Sequence, residues 1–240
     1  MKLKIRLFVD HVLKEGQSIR LTREQSHYLF GVMRRSKGDH ISLFNGYNGE
    51  WLAIIEQAQK KTGQLLCLEQ TQLQMNPPDL WLVFAPIKKA RTDFIVEKAA
   101  ELGAAKILPV QTEFTNSGRI RQDRLQTHAI EAVEQCGGTF VPEVCGLTKL
   151  DKLLSDWPKE RQLLFCDETK AGETTDINAL HGGKWAILIG PEGGFSKKES
   201  EYIAQMENSH SVSLGPRILR ADTAAVAALT LWQARLGDWS

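Results

Sequence analysis

Two turns rich in glycine and proline are the parts of this sequence whose residue types could do chemistry. The stretch "LIGPEGGFS" (188–196) follows an apolar run and precedes a polar, helix-like segment, and "LGPRILRADTAA" (214–225) leads into an apolar helix. Glycine lets the backbone approach a ligand closely, and proline fixes the direction of the chain, so unpaired backbone groups can face outward. We therefore expect both turns to belong to a binding site, although either one alone could be a plain strand-to-helix turn.

The common phosphate and metal motifs are missing from the sequence. Gly190, Gly193 and Gly194 do not form G-x-G-x-x-G, and there is no G-x-x-x-x-G-K-[ST]. The four cysteines are scattered without a C-x-x-C pair, and no H-E-x-x-H occurs. Nucleotide hydrolysis, hydride transfer and zinc chemistry therefore have no support, and we expect no metal site.

Two consecutive prolines, Pro77 and Pro78, mark the clearest boundary in the chain, because they bar a helix and stiffen an extended connection. Before them, short β-like runs alternate with turns rich in asparagine and glycine, and Thr22 and Gln25 form a capping-box pattern before one helix. Short strands with tight turns indicate a small barrel. We expect a barrel domain at 1–73, a linker at 74–79 and a second domain at 80–240.

After the prolines, apolar strands alternate with amphipathic helices. Gly103 follows one helical pattern, where a glycine often ends a helix, and Ser196 precedes another as its expected N-cap. The alternation indicates an α/β fold with a parallel sheet covered on both faces. Ligands of such sheets bind at the carboxyl ends of the strands, so both glycine-proline turns should lie at that edge.

Composition is that of an ordinary globular protein, with 42% hydrophobic and 25% charged residues. No apolar run approaches the length that spans a bilayer, and the N-terminus does not read as a signal peptide, so we expect a cytoplasmic protein with reduced thiols and no membrane partner. Residues 1–78 hold 11 Lys and Arg against 7 Asp and Glu, whereas the rest holds 19 against 22. The basic N-terminal part favours a polyanion partner, although an incidental charge distribution would look the same.

Several motifs together resemble the ribosomal small subunit methyltransferase E family of the SPOUT superfamily. They are "RLFV", "HYLFGVMRRSKGD" and "LFNG" in the first domain, and "RTDFIVEKAAELG", "EAVEQCG", "LIGPEGGFS" and "LGPRILRADTAA" in the second. The resemblance covers nearly the whole chain. It implies a PUA-like RNA-binding β-barrel followed by an α/β SPOUT domain with a C-terminal trefoil knot. It also implies S-adenosylmethionine-dependent methylation of uracil N3 in 16S ribosomal RNA.

The resemblance places the cofactor pocket at the two turns, whose backbone groups hold the adenine in this family. The implied residues are Ile189, Gly190, Pro191, Glu192, Gly193 and Gly194 from the first turn, and Leu214, Gly215, Ile218 and Leu219 from the second. Ile189, Leu214 and Ile218 could equally be plain core residues.

Methylation at N3 requires the imide proton to leave as the methyl group arrives. A positioned base and a cation near O2 or O4 would both help. Arg220 should project at the pocket and is the expected anion stabiliser, and Asp222 and Glu192 are the carboxylates in reach. Asp222 could equally be the N-cap of the last helix, and it stands where the family usually has Glu, which shortens the carboxylate arm.

Cationic side chains in both domains could contact RNA phosphates. Arg34 and Arg35 lie at the end of a predicted helix, where they could also simply complement the helix dipole. Lys88 and Arg91 follow a predicted strand, in what could also be a solvated loop. Arg6 is isolated among apolar residues. The resemblance favours a role for it near the target uridine, whereas a salt bridge at the barrel rim is the alternative.

Three hypotheses follow. The favoured one is an RNA methyltransferase that acts as a homodimer on 16S ribosomal RNA or the small ribosomal subunit. The departures at Asp222 and at Gly138, where related sequences commonly have Arg, leave room for a ribosome assembly factor without catalysis. A SPOUT enzyme with another acceptor, such as a ribose 2′-oxygen, is the third.

Overall fold

The structure is a computed structural model that describes residues 5–59, 61–172 and 181–239. These residues form two compact units. One contains the chain up to Asn76 together with Val133–Val141, and the other contains Pro77–Ala132 and the chain from Pro142 onward. Sequence analysis did not separate residues 133–141 from the second domain. Lys60, at the turn that the sequence predicts between two strands, lies outside the described residues.

The first unit is built on a five-stranded sheet. Its strands are β1 (Arg6–Phe8), β2 (Ser18–Arg20), β3 (His40–Phe44), β4 (Glu50–Gln59) and β5 (Thr62–Gln72). They lie in the order β1-β3-β4-β5-β2, with β1 parallel to β3 and the other neighbours antiparallel. Buried side chains alternate along β5, as the two-residue period of a strand requires, and Ile19, Ile41 and Leu65 are fully buried in the core. The short strands that the sequence indicates before the two prolines are confirmed, for example at β3 and β4.

A single helical segment crosses this unit. It begins as α1 (Arg23–Ser26) and continues as a π-helix (His27–Val32). The predicted capping box is confirmed, because the Gln25 backbone N–H donates to Thr22 Oγ1 at 3.2 Å and the Thr22 backbone N–H donates to Gln25 Oε1 at 2.9 Å. The π-helix was not predicted. Its wider turn is visible in the bond from Met33 N–H to the carbonyl of Tyr28, five residues earlier.

The second unit is a seven-stranded parallel sheet with helices. Its strands are β6 (Leu80–Phe84), β7 (Lys106–Gln111), β8 (Glu143–Val144), β9 (Thr148–Lys149), β10 (Arg161–Cys166), β11 (Lys184–Ile189) and β12 (Ser209–Val212). Its helices are α2 (Lys89–Glu101), α3 (Gln122–Cys136), α4 (Leu150–Ser155), α5 (Lys197–Gln205) and α6 (Ala221–Leu236). The strands lie in the order β12-β10-β11-β6-β7-β8, and β9 pairs with β7. The predicted α/β fold with a parallel sheet is confirmed.

Helices cover both faces of this sheet. On one face, Val83 and Leu188 share a buried cluster with Leu154 of α4 and Ile203 of α5. On the other, α6 packs against β11 and α2. Local signals are confirmed as well: Gly103 adopts φ +75° directly after the C-cap of α2, and Ser196 caps α5 with a capping box. Helices therefore cover the sheet on both faces, as its parallel strands require.

Arg6 is buried, with 8% of its surface exposed. Its Nε donates to Glu50 Oε2 at 2.6 Å, and its Nη atoms donate to the carbonyls of Val133 (2.7 Å), Glu134 (3.2 Å) and Gly138 (2.6 Å). This is the salt bridge that the sequence left open as the alternative. A direct contact between Arg6 and RNA would require these bonds to break.

We expect Arg6→Met to lower the free energy of unfolding by about 3–5 kcal/mol, because it leaves the Glu50 carboxylate buried without its partner. The carbonyls at the end of α3 lose their donor in the same step. Denaturation in urea measures the effect. The control is Lys197→Met, which removes an exposed ion pair with Glu201 and should cost less than about 1 kcal/mol. Equal losses in the two variants would contradict a structural role for Arg6.

Candidate active site

The first glycine-proline turn, residues 190–196, connects β11 to α5 and folds back on itself. A β-carbon on Gly190 would lie 2.7 Å from the ring of Phe195, so only glycine fits beneath that ring. The Phe195 ring is held in place by an edge-to-face contact with Phe165, whose centroid is 5.1 Å away. Gly194 adopts φ +68°, a left-handed conformation that favours glycine, and its N–H donates to the carbonyl of Pro191 at 3.0 Å. The glycines therefore allow a tight, reversed turn at the strand end.

The second turn, residues 213–220, connects β12 to α6. Gly215 adopts φ +114°, and its N–H donates to Ser213 Oγ at 3.3 Å. The backbone N–H groups of Ile218 and Leu219 have no acceptor among the described residues. Ile218 is 72% exposed although its side chain is apolar. This turn therefore presents unused backbone donors beside apolar side chains.

The two turns meet at one cavity of about 200 Å³. They do so because β12, β10 and β11 are neighbours in a parallel sheet, so their carboxyl ends lie at one edge. The predicted cofactor residues that line the cavity are Ile189, Gly190, Pro191, Glu192, Gly194, Leu214, Gly215, Ile218 and Leu219. Gly193 is not among the lining residues, and a β-carbon there would face Phe114 at 3.2 Å.

The two predicted catalytic residues are placed differently. Arg220 lines the cavity, and its side chain has no hydrogen-bond or ion-pair partner in the described parts of the chain. Asp222 does not line it: Oδ1 accepts the N–H of Thr223 at 3.0 Å, and Oδ2 lies 3.7 Å from Nε of Arg91. The alternative role of Asp222 as N-cap is wrong, because the backbone of Arg220 occupies that position.

A third loop, which sequence analysis missed, completes the cavity. It follows β10 and contributes Cys166, Asp167, Glu168 and Ala171 to the lining. The sequence did contain a signal, since the largely apolar run at residues 162–166 is followed directly by two acidic residues. The order of strands in the sheet is what brings this loop between the two turns, and that order cannot be read from local patterns.

Burial changes the acidity of two groups in this third loop. It raises the pKa of the Cys166 thiol to about 12, so the thiol stays protonated near neutral pH and does not act as a nucleophile. The pKa of the Glu168 carboxyl is raised as well, first by partial burial and then by the charge of Asp167. The cavity therefore holds one carboxyl group that is biased towards taking up a proton.

The predicted RNA-contact residues are distributed over both units. Arg34 is exposed and adopts φ +52°, and Arg35 Nη1 lies 3.9 Å from Asp39 Oδ2 in a weak surface pair. In the second unit, Lys88 is exposed at the N-cap of α2. The pairing of Arg91 with the Asp222 carboxylate leaves it less available than Lys88 for RNA.

The cavity lining fits the adenosyl part of S-adenosylmethionine. Val212, Leu214 and Leu219 supply apolar surface for a flat ring. The free N–H groups of Ile218 and Leu219 can donate to the ring nitrogens of adenine. The adenine edge would satisfy these donors without an acidic side chain.

Two other kinds of functional element are absent from the described residues. No helix there is both long and apolar enough to cross a membrane. No cluster of three or more His, Cys, Asp or Glu side chains there is arranged to hold a metal ion.

Comparison with known families agrees with a cavity that binds S-adenosylmethionine. Residues 74–233 match an RNA methyltransferase domain, and residues 21–66 match an RNA methyltransferase PUA domain. The chain is 31% identical to ribosomal RNA small subunit methyltransferase E from Rickettsia conorii, with 93% of each chain covered.

Two solved structures resemble the whole chain. A methyltransferase from Legionella pneumophila, in complex with S-adenosylmethionine, superposes with a TM-score of 0.88 at 30% identity, covering 98% of both chains. Ribosomal RNA small subunit methyltransferase E from Neisseria gonorrhoeae, bound to S-adenosylmethionine, gives 0.85 at 26% identity, covering 98% of this chain and 99% of its own. The chain therefore belongs to the ribosomal RNA small subunit methyltransferase E family.

Proposed function

We propose that this protein transfers a methyl group from S-adenosylmethionine to N3 of a uracil in 16S ribosomal RNA of the small ribosomal subunit. The observation that carries the proposal is the cavity at the ends of β10, β11 and β12. Backbone donors and the guanidinium of Arg220, none of them paired with a described residue, line this one space. Relatives solved with S-adenosylmethionine support the same chemistry.

In this proposal the two turns hold the cofactor. Leu214 and Leu219 pack against the adenine, and the N–H groups of Ile218 and Leu219 bind its edge. Gly190 and Gly194 have no side chains, so the ligand can approach the backbone of the first turn closely. The bound cofactor supplies an electrophilic methyl group on a sulfonium sulfur. We retain Gly193 only as a neighbour of the pocket, since it lies outside the lining.

Arg220 is proposed to stabilise the transition state. Removal of the N3 proton places negative charge on the uracil O2 and O4 atoms, and a guanidinium that lines the cavity without a partner among the described residues can pair with that charge. Asp222 is proposed to act at a distance. By pairing with Arg91 and with the first turn of α6, it fixes the helix start from which Arg220 projects.

Two finer features of the fold are proposed with this function. The C-terminal segment passes through a preceding loop as a trefoil knot, an arrangement supported by the bond from Gly172 N–H to the carbonyl of Gly215, which ties the third loop to the second turn. The domain limits are 1–73, 74–79 and 80–240, with residues 133–141 packing on the first domain.

The first domain is proposed to hold the RNA while the target base is unstacked. Arg34 supports this role, because it is exposed and stands in a left-handed conformation at the end of the π-helix, where glycine would be less strained. Neither Arg34 nor the exposed Lys37 forms an ion pair with a described residue, so both can reach phosphates. Since the proposed substrate is ribosomal, the proposed location is the cytoplasm.

Arg34→Gly should raise the free energy of unfolding by about 1 kcal/mol while it weakens RNA binding. It should also reduce the salt dependence of binding by about one unit of slope, because one phosphate contact is lost. Urea denaturation and RNA titrations at several salt concentrations measure both effects. The control is Arg34→Lys, which keeps the charge and the strain. Unchanged affinity and slope in Arg34→Gly would remove Arg34 from the RNA-binding surface.

A homodimer is proposed from the outward face of α6. This face consists of Thr223, Ala227, Thr230, Leu231 and Ala234, at helical spacing. All five are uncharged and at least partly exposed, and the depletion of charged residues is a feature of interface cores.

The test of the proposed function uses small ribosomal subunits and naked 16S ribosomal RNA from a strain that lacks the enzyme. After incubation with the full chain and S-adenosylmethionine, mass spectrometry should locate one new methyl group on a uracil N3. A methyl group on a ribose 2′-oxygen would indicate the other acceptor. Failure to bind S-adenosylmethionine in a calorimetric titration would favour an assembly factor without catalysis.

A further inference from the structure

The loop after β10 holds two adjacent carboxylates with different surroundings. The Asp167 side chain is engaged locally, since Oδ1 accepts the Thr169 N–H at 3.0 Å and the Thr169 hydroxyl at 2.6 Å. These bonds fix the short 3₁₀-helix Glu168–Lys170. Asp167 therefore holds the loop in its conformation, and the carboxylate of Glu168 remains available to a ligand in the cavity.

The Glu168 carboxylate lines the cavity without a protein partner. Among the described residues its side chain makes no hydrogen bond and no ion pair. It packs against the first turn, because a β-carbon built on Gly194 would overlap Glu168 Oε1. The residue as a whole is exposed, so its carboxyl group can still reach a bound substrate. An accessible carboxylate at the rim of the cavity, close to the first turn and without a bonding partner among the described residues, is thus available for chemistry.

The other charged and titratable groups around the cavity are less suited to accept a proton. Asp222 is engaged by Arg91 and by the start of α6, and the Cys166 thiol stays protonated. Arg217 and Arg220 are cations. Glu192 is exposed on the first turn and also lines the cavity, so it is the closest chemical match to Glu168 and the residue that the experiment must distinguish from it.

We propose that Glu168 is the general base that accepts the N3 proton of the target uracil. The proposal rests on the proposed function. In the step, the N3–H bond breaks and its proton moves to a Glu168 carboxylate oxygen. The N3 electron pair forms the N–CH₃ bond, and the S–CH₃ bond breaks with its electron pair left on sulfur as a neutral thioether. Arg220 stabilises the charge that develops on the uracil oxygens.

The proposal gives a pH dependence with a definite sign. A base must be ionised to act, so kcat should rise with pH as Glu168 loses its proton and then level off. Because burial and Asp167 raise the pKa of Glu168, the rise should lie above the usual range of a glutamate. The same raised pKa means that Glu168 reduces fold stability as the pH increases through that window, a cost that Glu168→Gln removes.

The experiment compares Glu168→Gln with Glu192→Gln, the other glutamate that lines the cavity, and with the control Glu201→Gln, an exposed carboxylate on α5 outside the lining. Glu168→Gln should lower kcat by about 100-fold or more and abolish the acid limb of the pH profile. Its Kd for S-adenosylmethionine by calorimetry and its RNA affinity should stay within about threefold of wild type. Glu192→Gln should retain the acid limb whatever its effect on cofactor affinity, and Glu201→Gln should retain both the limb and the rate. Glu168→Asp, which keeps a carboxylate, should be slower than wild type but retain the limb.

Three outcomes would overturn the proposal. They are an intact acid limb in Glu168→Gln, the loss of that limb in Glu192→Gln instead, and a large loss of cofactor affinity in Glu168→Gln, which would make Glu168 a cofactor-binding residue. Thermal unfolding identifies a variant that fails to fold, and Glu168→Asp then carries the test. Failure of the proposed function is distinct, because wild-type protein would then produce no N3-methyluracil.

Discussion

Arg220→Ala should lower kcat for methylation by about 100- to 1000-fold, the range seen when one oxyanion-stabilising donor is removed. The guanidinium lines the cavity without a partner among the described residues, so its charge is free to act on the uracil anion. The cofactor Kd should change by less than about threefold, because backbone groups rather than this side chain are proposed to hold the adenine. Single-turnover methylation and calorimetric titration measure the two quantities.

The control is Arg217→Ala, which removes a neighbouring guanidinium from the same cavity. Its turnover should fall by less than about tenfold, since it lacks the position at the start of α6 that aims Arg220. If both variants lost the same rate, general positive charge rather than one placed group would account for catalysis. Normal turnover in Arg220→Ala would remove it from the mechanism.

Gly194→Ala should weaken S-adenosylmethionine binding by about tenfold or more. At φ +68° an L-residue is strained by about 1–2 kcal/mol, and its β-carbon would overlap the Glu168 carboxylate. The Glu168 side chain can move away, but relief of the backbone strain requires the turn to shift, and the turn also carries Gly190 and Pro191 of the cavity wall. Calorimetric titration, with thermal unfolding to check the fold, measures the effect.

Gly193→Ala is the matched control for that change. Gly193 lies outside the cavity lining, its φ is not positive, and its new β-carbon would be 3.2 Å from Phe114 Cβ. A small local adjustment should accommodate it, leaving the cofactor Kd within about threefold. Equal loss of binding in both variants would mean that the turn is merely fragile, and that the specific geometry at Gly194 is unimportant.

Local features of the fold could be predicted because a few neighbouring residues determine them. The capping boxes at Thr22 and Ser196 and the left-handed Gly103 depend on hydrogen bonds within one turn of helix. The π-helix at His27–Val32 was missed, since its apolar spacing is close to that of an α-helix. The packing of residues 133–141 on the first unit was missed because Arg6 is more than 120 residues away from the carbonyls it binds.

The two turns of the candidate site could be predicted from local sequence, whereas the third loop and the position of Asp222 could not. Each glycine-proline turn can be recognised from the few residues that follow one strand. Because the strands are parallel, both turns are then expected at one edge of the sheet. The contribution of Glu168 required knowing that β10 lies between β11 and β12, which is a property of the whole sheet. The position of Asp222 depended on whether α6 begins at Ala221 or later, a shift that local capping preferences do not decide.

The most direct test of the central claim is a crystal structure of the full chain with bound S-adenosylmethionine. The adenine should lie between the turns at residues 190–196 and 213–220, bonded to the N–H groups of Ile218 and Leu219, with the sulfonium methyl facing Arg220. A cofactor bound elsewhere, or these turns closed against each other with no ligand between them, would contradict the assignment of this cavity as the methyl-transfer site.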